Sequence, residues 1–326
     1  MFHRYRLVIP ALLLLPGGGA APVAAHSPAA EWSLAQVNEN GFGDRHNSLA
    51  WSMMWWRGQL YVGTSRAAFC LRALGWQGPY PPTDPDVECA PDPADLPLAA
   101  EIWRYTPESG DWDRVYRSPD DVPYPDRPGR FIARDIGYRD MIVFREPDGT
   151  EALYVSGVSA RFLGPSLPPP RLLRSTDGTT FEAVPQAPGT VLGDIDANNF
   201  RSLAVYGGRL YVTAGTIWGD GPLYESANPA AGNDAFRLVT PPGMRVFSVK
   251  PFNDQLYVGT TDIVNGYGIY RTAAAGPTPY IFTPVVTAAA HHPGSPYLPH
   301  SSVISVEVFR GSLYAGTDGP LGSVNK

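Results

Sequence analysis

Cysteine is nearly absent: the 326-residue chain has only Cys70 and Cys89, 19 positions apart in a proline-rich stretch. A cysteine metal site needs more ligands, and no histidine lies near the pair, so one structural disulfide is the expectation. A loop of that size gains about 3 kcal/mol by restricting the unfolded chain. Charge is sparse as well, at 17% of residues with a net charge of -6 and no concentrated basic block. That balance argues against nucleic acid or an anionic membrane as the main partner. Beyond the first residues no apolar run approaches the ~20 residues of a membrane span. The chain also lacks a Gly-Lys-Ser/Thr phosphate loop, a dinucleotide fingerprint, HExxH and a Gly-x-Ser-x-Gly elbow. Any active site must therefore be assembled from separated residues.

What is abundant points to β structure. Gly 34 and Pro 35 make up about a fifth of the chain, and aromatic residues 12%. Such a composition favours many short strands over long helices. Residues 1–25 read as a secretory signal: His3, Arg4 and Arg6 precede the apolar run Leu7 to Leu15, and Val23-Ala24-Ala25 supplies small residues for cleavage. Residues 26–326 are then expected as a single exported domain, secreted, periplasmic or on the cell surface.

One phrase recurs five times, as Leu60-Tyr61-Val62-Gly63-Thr64, Leu153-Tyr154-Val155-Ser156-Gly157, Leu210-Tyr211-Val212-Thr213, Leu256-Tyr257-Val258-Gly259-Thr260 and Leu313-Tyr314-Ala315-Gly316-Thr317. The shortest interval, from Leu210 to Leu256, matches the ~40–50 residues of a four-stranded propeller blade. Before each phrase comes an apolar run, with a tight turn after Ser52–Trp56, Ser202–Tyr206, Ser248–Phe252 and Ser305–Phe309 and a longer hairpin through Pro147-Asp148-Gly149 after Asp140–Phe144. Two such runs across a Gly or Asn/Asp turn make a hairpin. Third strands are expected at 101–105, 172–175, 223–226 and 268–272, and fourth strands at 113–116, 181–184, 236–239 and 282–286. The fold class expected is therefore all-β, a β-propeller of five blades with four antiparallel strands each. Trp32–Val37 is expected to close the last blade as its fourth strand. Its third strand is either Leu321–Lys326 or missing, leaving that blade incomplete.

Ile102-Trp103-Arg104, Ile269-Tyr270-Arg271, Ser175-Thr176-Asp177-Gly178 through Phe181, and Gly41-Phe42-Gly43-Asp44 with Asn47 complete the pattern. Together with the repeated phrase they resemble the repeats of exported bacterial β-propellers. That resemblance implies the fold and transfers no activity. The Ser175–Phe181 stretch is also similar to the Asp-box of sialidases, which sits on outer turns and is structural.

Propeller ligands sit at the central channel, so the innermost strands carry the candidates. At the first aligned position stand Ser52, Asp140, Ser202, Ser248 and Ser305, and two residues on stand Met54, Ile142, Ala204, Lys250 and Glu307. Small side chains suit ring closure, and a charge there needs a partner or water. A contact between Lys250 and Glu307 is the simplest expectation. Arg139, Arg201, Arg245 and Lys250 are the ligand-binding candidates, because a guanidinium fork grips a carboxylate or sugar acid. The arginines resemble the sialidase triad, without its Tyr/Glu nucleophile pair. Asp135, Asp140 and Glu307 are the candidate catalytic carboxylates.

Asp194, Asp196 and Asn198 place three oxygen donors at alternate positions, half of a calcium-loop pattern lacking the EF-hand Gly and Glu. An Asx-type turn is the competing reading. Nothing else calls for a cofactor. His291, His292 and His300 flank prolines in a loop, where a metal or general-base role, suited to an imidazole, competes with a plain solvated loop. The expectation is a monomeric, non-catalytic module that binds a glycan, peptide or extracellular protein surface. The alternative is a glycoside hydrolase or lyase with carboxylates drawn from separate blades.

Overall fold

A computed structural model describes residues 34–75, 79–125, 127–216, 221–262, 266–287 and 302–317, with the backbone of Ser323–Asn325. Residues 1–25, expected as a signal, and the three loop histidines lie outside the described residues. Two units divide the chain, Met1–Val37 and Asn38–Lys326. In the first, Leu34–Val37 carry no strand, and Leu34 is fully exposed. The fourth strand expected over 32–37 is therefore not formed by its described residues, which bury no apolar face.

The second unit is all-β, and its strands follow one another as five antiparallel groups, each treated as a sheet; the first three are joined into one twelve-stranded sheet through the single pairs Ser65–Gly137 and Val158–Asn199, while the fourth and fifth are separate. The first sheet has β1 (Asn47–Trp56), β2 (Gln59–Arg66), β3 (Glu101–Thr106) and β4 (Asp111–Arg117). A short helix, α1 (Ala68–Gly75), and a two-stranded ribbon, β5 (Val122–Pro123) with β6 (Phe131–Ile132), fill the connections around it. Cys70 and Cys89 are disulfide-bonded there, as expected. The second sheet has β7 (Asp135–Arg145), β8 (Glu151–Ser159), β9 (Leu172–Ser175) and β10 (Glu182–Ala183). The third has β11 (Asn199–Tyr206), β12 (Arg209–Gly215), β13 (Leu223–Ser226) and β14 (Arg237–Leu238). The fourth has β15 (Val246–Phe252), β16 (Gln255–Thr260), β17 (Ile269–Thr272) and β18 (Thr283–Val286). The last has β19 (Val303–Phe309), β20 (Ser312–Thr317) and β21 (Ser323–Asn325), so the segment after Leu321 does supply the third strand.

Turn chemistry sets the hairpins. Arg57-Gly58, Gly207-Gly208, Asn253-Asp254 and Arg310-Gly311 hold both central residues at positive φ, the geometry of a two-residue primed turn. Arg57 and Arg310 take that strained conformation without the freedom of glycine.

Packing lies between consecutive sheets. Tyr61, Tyr154, Tyr211 and Tyr257 of the repeated phrase are all buried, each in a cluster shared with the sheet that follows. Leu153, Leu210 and Leu256 are fully buried against the sheet that precedes. Each such leucine contributes about 1.5–3 kcal/mol. Among the described residues nothing covers the corresponding side chains of the first and last sheets: Met53 is 58%, Trp55 57% and Phe309 59% exposed.

Serine at the aligned position joins the sheets. Ser52 donates to the Tyr138 carbonyl at 2.8 Å, Ser248 donates to Val303 at 3.1 Å, and Ser202 accepts from the Val249 amide at 3.4 Å. Opposite Ser52 and Ser248 sit Gly63 and Gly259, where a Cβ would lie 2.4 Å and 2.6 Å from the serine oxygens. The glycine of the phrase thus makes room for its own strand partner.

Candidate functional site

Every first strand carries a register shift at the aligned position: Ala50/Ser52, Tyr138/Asp140, Val246/Ser248 and Val303/Ser305 just before it, and Phe200/Leu203 spanning Ser202 as well as Arg201. A β-bulge of this kind leaves an extra residue out of the ladder and re-aims its side chain. The extra residues are Trp51, Arg139, Arg201, Phe247 and Ile304. All five line one cavity of about 470 Å3, together with Met54, Asp140, Ile142, Lys250 and Glu307 from the same strands.

The bulged residues form a cationic and aromatic layer. Arg139 stacks over Trp51 at 4.9 Å and faces Phe247 at 5.5 Å, while Arg201 lies 4.3 Å over the same Phe247 ring. Gly137 makes the layer possible, because a Cβ there would meet the Trp51 ring at 2.7 Å. Arg201 is fixed by donating to the Thr216 carbonyl at 3.0 Å. Arg139 makes no ion pair and no side-chain hydrogen bond among the described residues. Burial brings its guanidinium down to about 10, against the pull of neighbouring Asp140, so it stays cationic at neutral pH.

Asp140 takes the place that serine holds in the other four copies. Its carboxylate accepts the Leu203 amide of the next sheet at 2.7 Å and the Met141 amide at 2.8 Å. Burial raises its carboxyl to about 6, against those two amides and Lys250, while Glu307 pushes the same way as burial. Lys250 and Glu307 form the expected ion pair, with Nζ 2.7 Å from Oε2.

Two sequence candidates lie elsewhere. Asp135 is fully buried outside the cavity, with both oxygens taken by Arg171 and Oδ2 also accepting from Tyr138 at 3.2 Å. Burial and the Asp135 charge hold the Tyr138 phenol well above its ordinary value, so that hydroxyl keeps its proton. Arg245 is exposed in a separate hollow with Met244, Tyr267, Tyr270 and Phe282.

The three alternate oxygen donors are each engaged by a different partner. Asp194 accepts the Gly189 amide at 2.9 Å, exposed Asp196 faces Arg161 at 3.6 Å, and Asn198 accepts from Asn199 at 2.6 Å. Among the described residues no group of three or more His, Cys, Asp or Glu is placed to hold a metal ion. The Asp177 turn is likewise structural: its carboxylate caps the Thr179 and Thr180 amides, which pulls it well below the usual range.

Trp51 and Phe247 line the cavity and stack with its arginines, and neither is among the sequence candidates. They stand one residue before the aligned position, where Arg139 and Arg201 also stand.

No protein-family model matches the chain, and no curated protein sequence does. Among solved structures it is similar to a glycoside hydrolase family 43 arabinoxylan arabinofuranohydrolase from Bacillus subtilis. That match has 13% identity and a TM-score of 0.44, and covers 86% of this chain and 60% of that one. It is also similar to an α-L-arabinofuranosidase from Clostridium thermocellum, with 11% identity, a TM-score of 0.41 and coverage of 83% and 82%. A third similarity, to a prolyl endopeptidase, has 15% identity and a TM-score of 0.42, with 82% of this chain matched and 31% of that one. The chain spans about a third of that endopeptidase's length.

Proposed function

We propose that the five sheets are blades of an exported β-propeller, and that the chain is a non-catalytic module that binds a carboxylate-bearing sugar in the cavity between them. The observation that carries this reading is the bulged layer, where Arg139 meets Trp51 and Phe247 and makes no ion pair or side-chain hydrogen bond among the described residues, with Asp140 beside it acting on its charge through space. A guanidinium fork accepts a carboxylate through two parallel bonds. Aromatic rings beside it suit the apolar face of a sugar, and a cavity of about 470 Å3 holds one or two residues of a glycan.

Hydrolysis is supported less well. Glycoside cleavage needs two carboxyls with free oxygens facing one bond. Asp135 is locked to Arg171, Glu307 is paired with Lys250, and Asp140 accepts two backbone amides.

Isothermal titration with D-glucuronate and D-glucose, which differ by the carboxylate, tests the reading. Glucuronate is expected to bind at least tenfold more tightly, which corresponds to about 1.4 kcal/mol. Equal affinity for the two sugars contradicts it. So does turnover of chromogenic glycosides that is lost in Asp140→Asn or Glu307→Gln.

A further inference from the structure

We infer that Asp140 couples capture of the sugar carboxylate to uptake of one proton, so that the cavity takes its ligand in acid and releases it as the pH rises. This rests on the sugar-acid reading of the cavity.

The argument starts from the repeat. Ser52, Ser202 and Ser248 each bond to the backbone of the next sheet's first strand with a neutral hydroxyl. Asp140 makes the same bridge, to the Leu203 amide, and adds a charge that bridging does not require. That charge stands next in sequence to Arg139, the cation left for a ligand.

The charged groups around it come from four strands. Arg139 shares β7, Arg201 is on β11, Lys250 on β15 and Glu307 on β19, while β8 offers Ser156 and the described cavity residues of β1 do not titrate. Lys250 and Glu307 cancel one another as an ion pair. Ionised Asp140 therefore offsets one of the two arginines, and a carboxylate ligand entering the layer brings a second anion into the same cavity. A second anion brought beside Asp140 raises its carboxyl further, so that binding favours its protonated form. Sugar carboxyls are ordinary acids that stay ionised above about pH 5, so Asp140 is the group that protonates. With burial already holding it at about 6, the cost of that proton near neutrality is small.

Linkage fixes the sign. Binding that takes up a proton strengthens as pH falls and weakens as pH rises, approaching tenfold per pH unit once Asp140 is fully ionised in the free protein.

The test is titration calorimetry of the full chain with D-glucuronate between pH 5 and pH 8, at each pH in two buffers of different ionisation enthalpy. The native protein is expected to take up between about half a proton and one proton per ligand at pH 7, with affinity falling from pH 6 to pH 8. Asp140→Ser, which restores the residue of the other copies and retains a bridging hydroxyl, is expected to bind with no proton uptake. At pH 8 it should bind more tightly than the native chain. Asp140→Asn, closer in size, should match the serine variant and covers the case in which serine fails to fold. Glucuronate binding without proton uptake in the native chain overturns this inference alone, as does uptake that persists in both variants. Absence of glucuronate binding by native chain and folded variants at every pH overturns the cavity reading and takes this inference with it.

Discussion

Replacing Arg139 with alanine is expected to weaken glucuronate binding about 10- to 100-fold and to leave folding nearly intact. A hydrogen bond to a charged group contributes about 1.5–3 kcal/mol, and a bidentate fork sits at the upper end. The fold loses little because Arg139 makes no ion pair among the described residues and sits at a bulge, out of the ladder. Only its stacking on Trp51 and Phe247 disappears, about 0.5–1 kcal/mol for a partly wet site. Arg139→Lys separates charge from shape, since lysine keeps the cation and loses the planar fork. An intermediate affinity for the lysine variant, with unchanged thermal unfolding for both, is the expected pattern. Loss of folding in Arg139→Ala contradicts the assignment of that residue to a ligand.

Arg171→Ala is expected to do the reverse, lowering unfolding free energy by about 3–5 kcal/mol. Its guanidinium caps the fully buried Asp135, which shares the site with Tyr138 and Ser118. Removing one member of a buried pair leaves a charge without a counter-ion, and that desolvation cost exceeds what the intact pair contributes. The pair holds β7 against the connection that leads into β9, so the loss falls on the second sheet. Urea unfolding of the purified variant measures it. A change below about 1 kcal/mol would show that water or another group reaches Asp135 and that the site is not closed.

The hairpins were legible because their determinants are local. The third strands at Leu172–Ser175 and Leu223–Ser226 stand where alternation and turn residues put them, and Glu101–Thr106 differs by one residue. Fourth strands are shorter than the pattern suggests in two sheets, at Glu182–Ala183 and Arg237–Leu238. There Phe181 and Phe236 are buried just before the paired residues, and Val184 and Val239 each still donate one backbone hydrogen bond to the third strand, to Leu172 and Leu223, so the pairing continues past the regular ladder as a single bond.

The site was legible only in part. Arg139, Arg201, Lys250 and Glu307 follow from the repeat alignment, and the structure brings them to one cavity. Trp51 and Phe247 share that register, but alternation predicts that they point away from the cavity. The bulge reverses this, and a bulge depends on how neighbouring sheets pack, which a single strand does not encode. Asp135 reads like Asp140 in sequence because both are acids on β7. What separates them is Arg171, 36 positions downstream of Asp135, and no local pattern announces that contact. Asp140 itself is an exception visible in the alignment, yet its bridge to Leu203 shows only once the second and third sheets are side by side.

The direct test of five sheets sharing one cavity is a distance between the first strand of the first sheet and that of the last. Nitroxide labels at Met53→Cys and Val308→Cys, both exposed positions in a chain whose two cysteines are otherwise paired, allow pulsed dipolar measurement. Sheets wrapped about a common cavity predict a single short distance, within two or three sheet spacings, about 20–30 Å. Five sheets stacked in a row would put the labels about 40 Å apart or more, and that result would contradict the account.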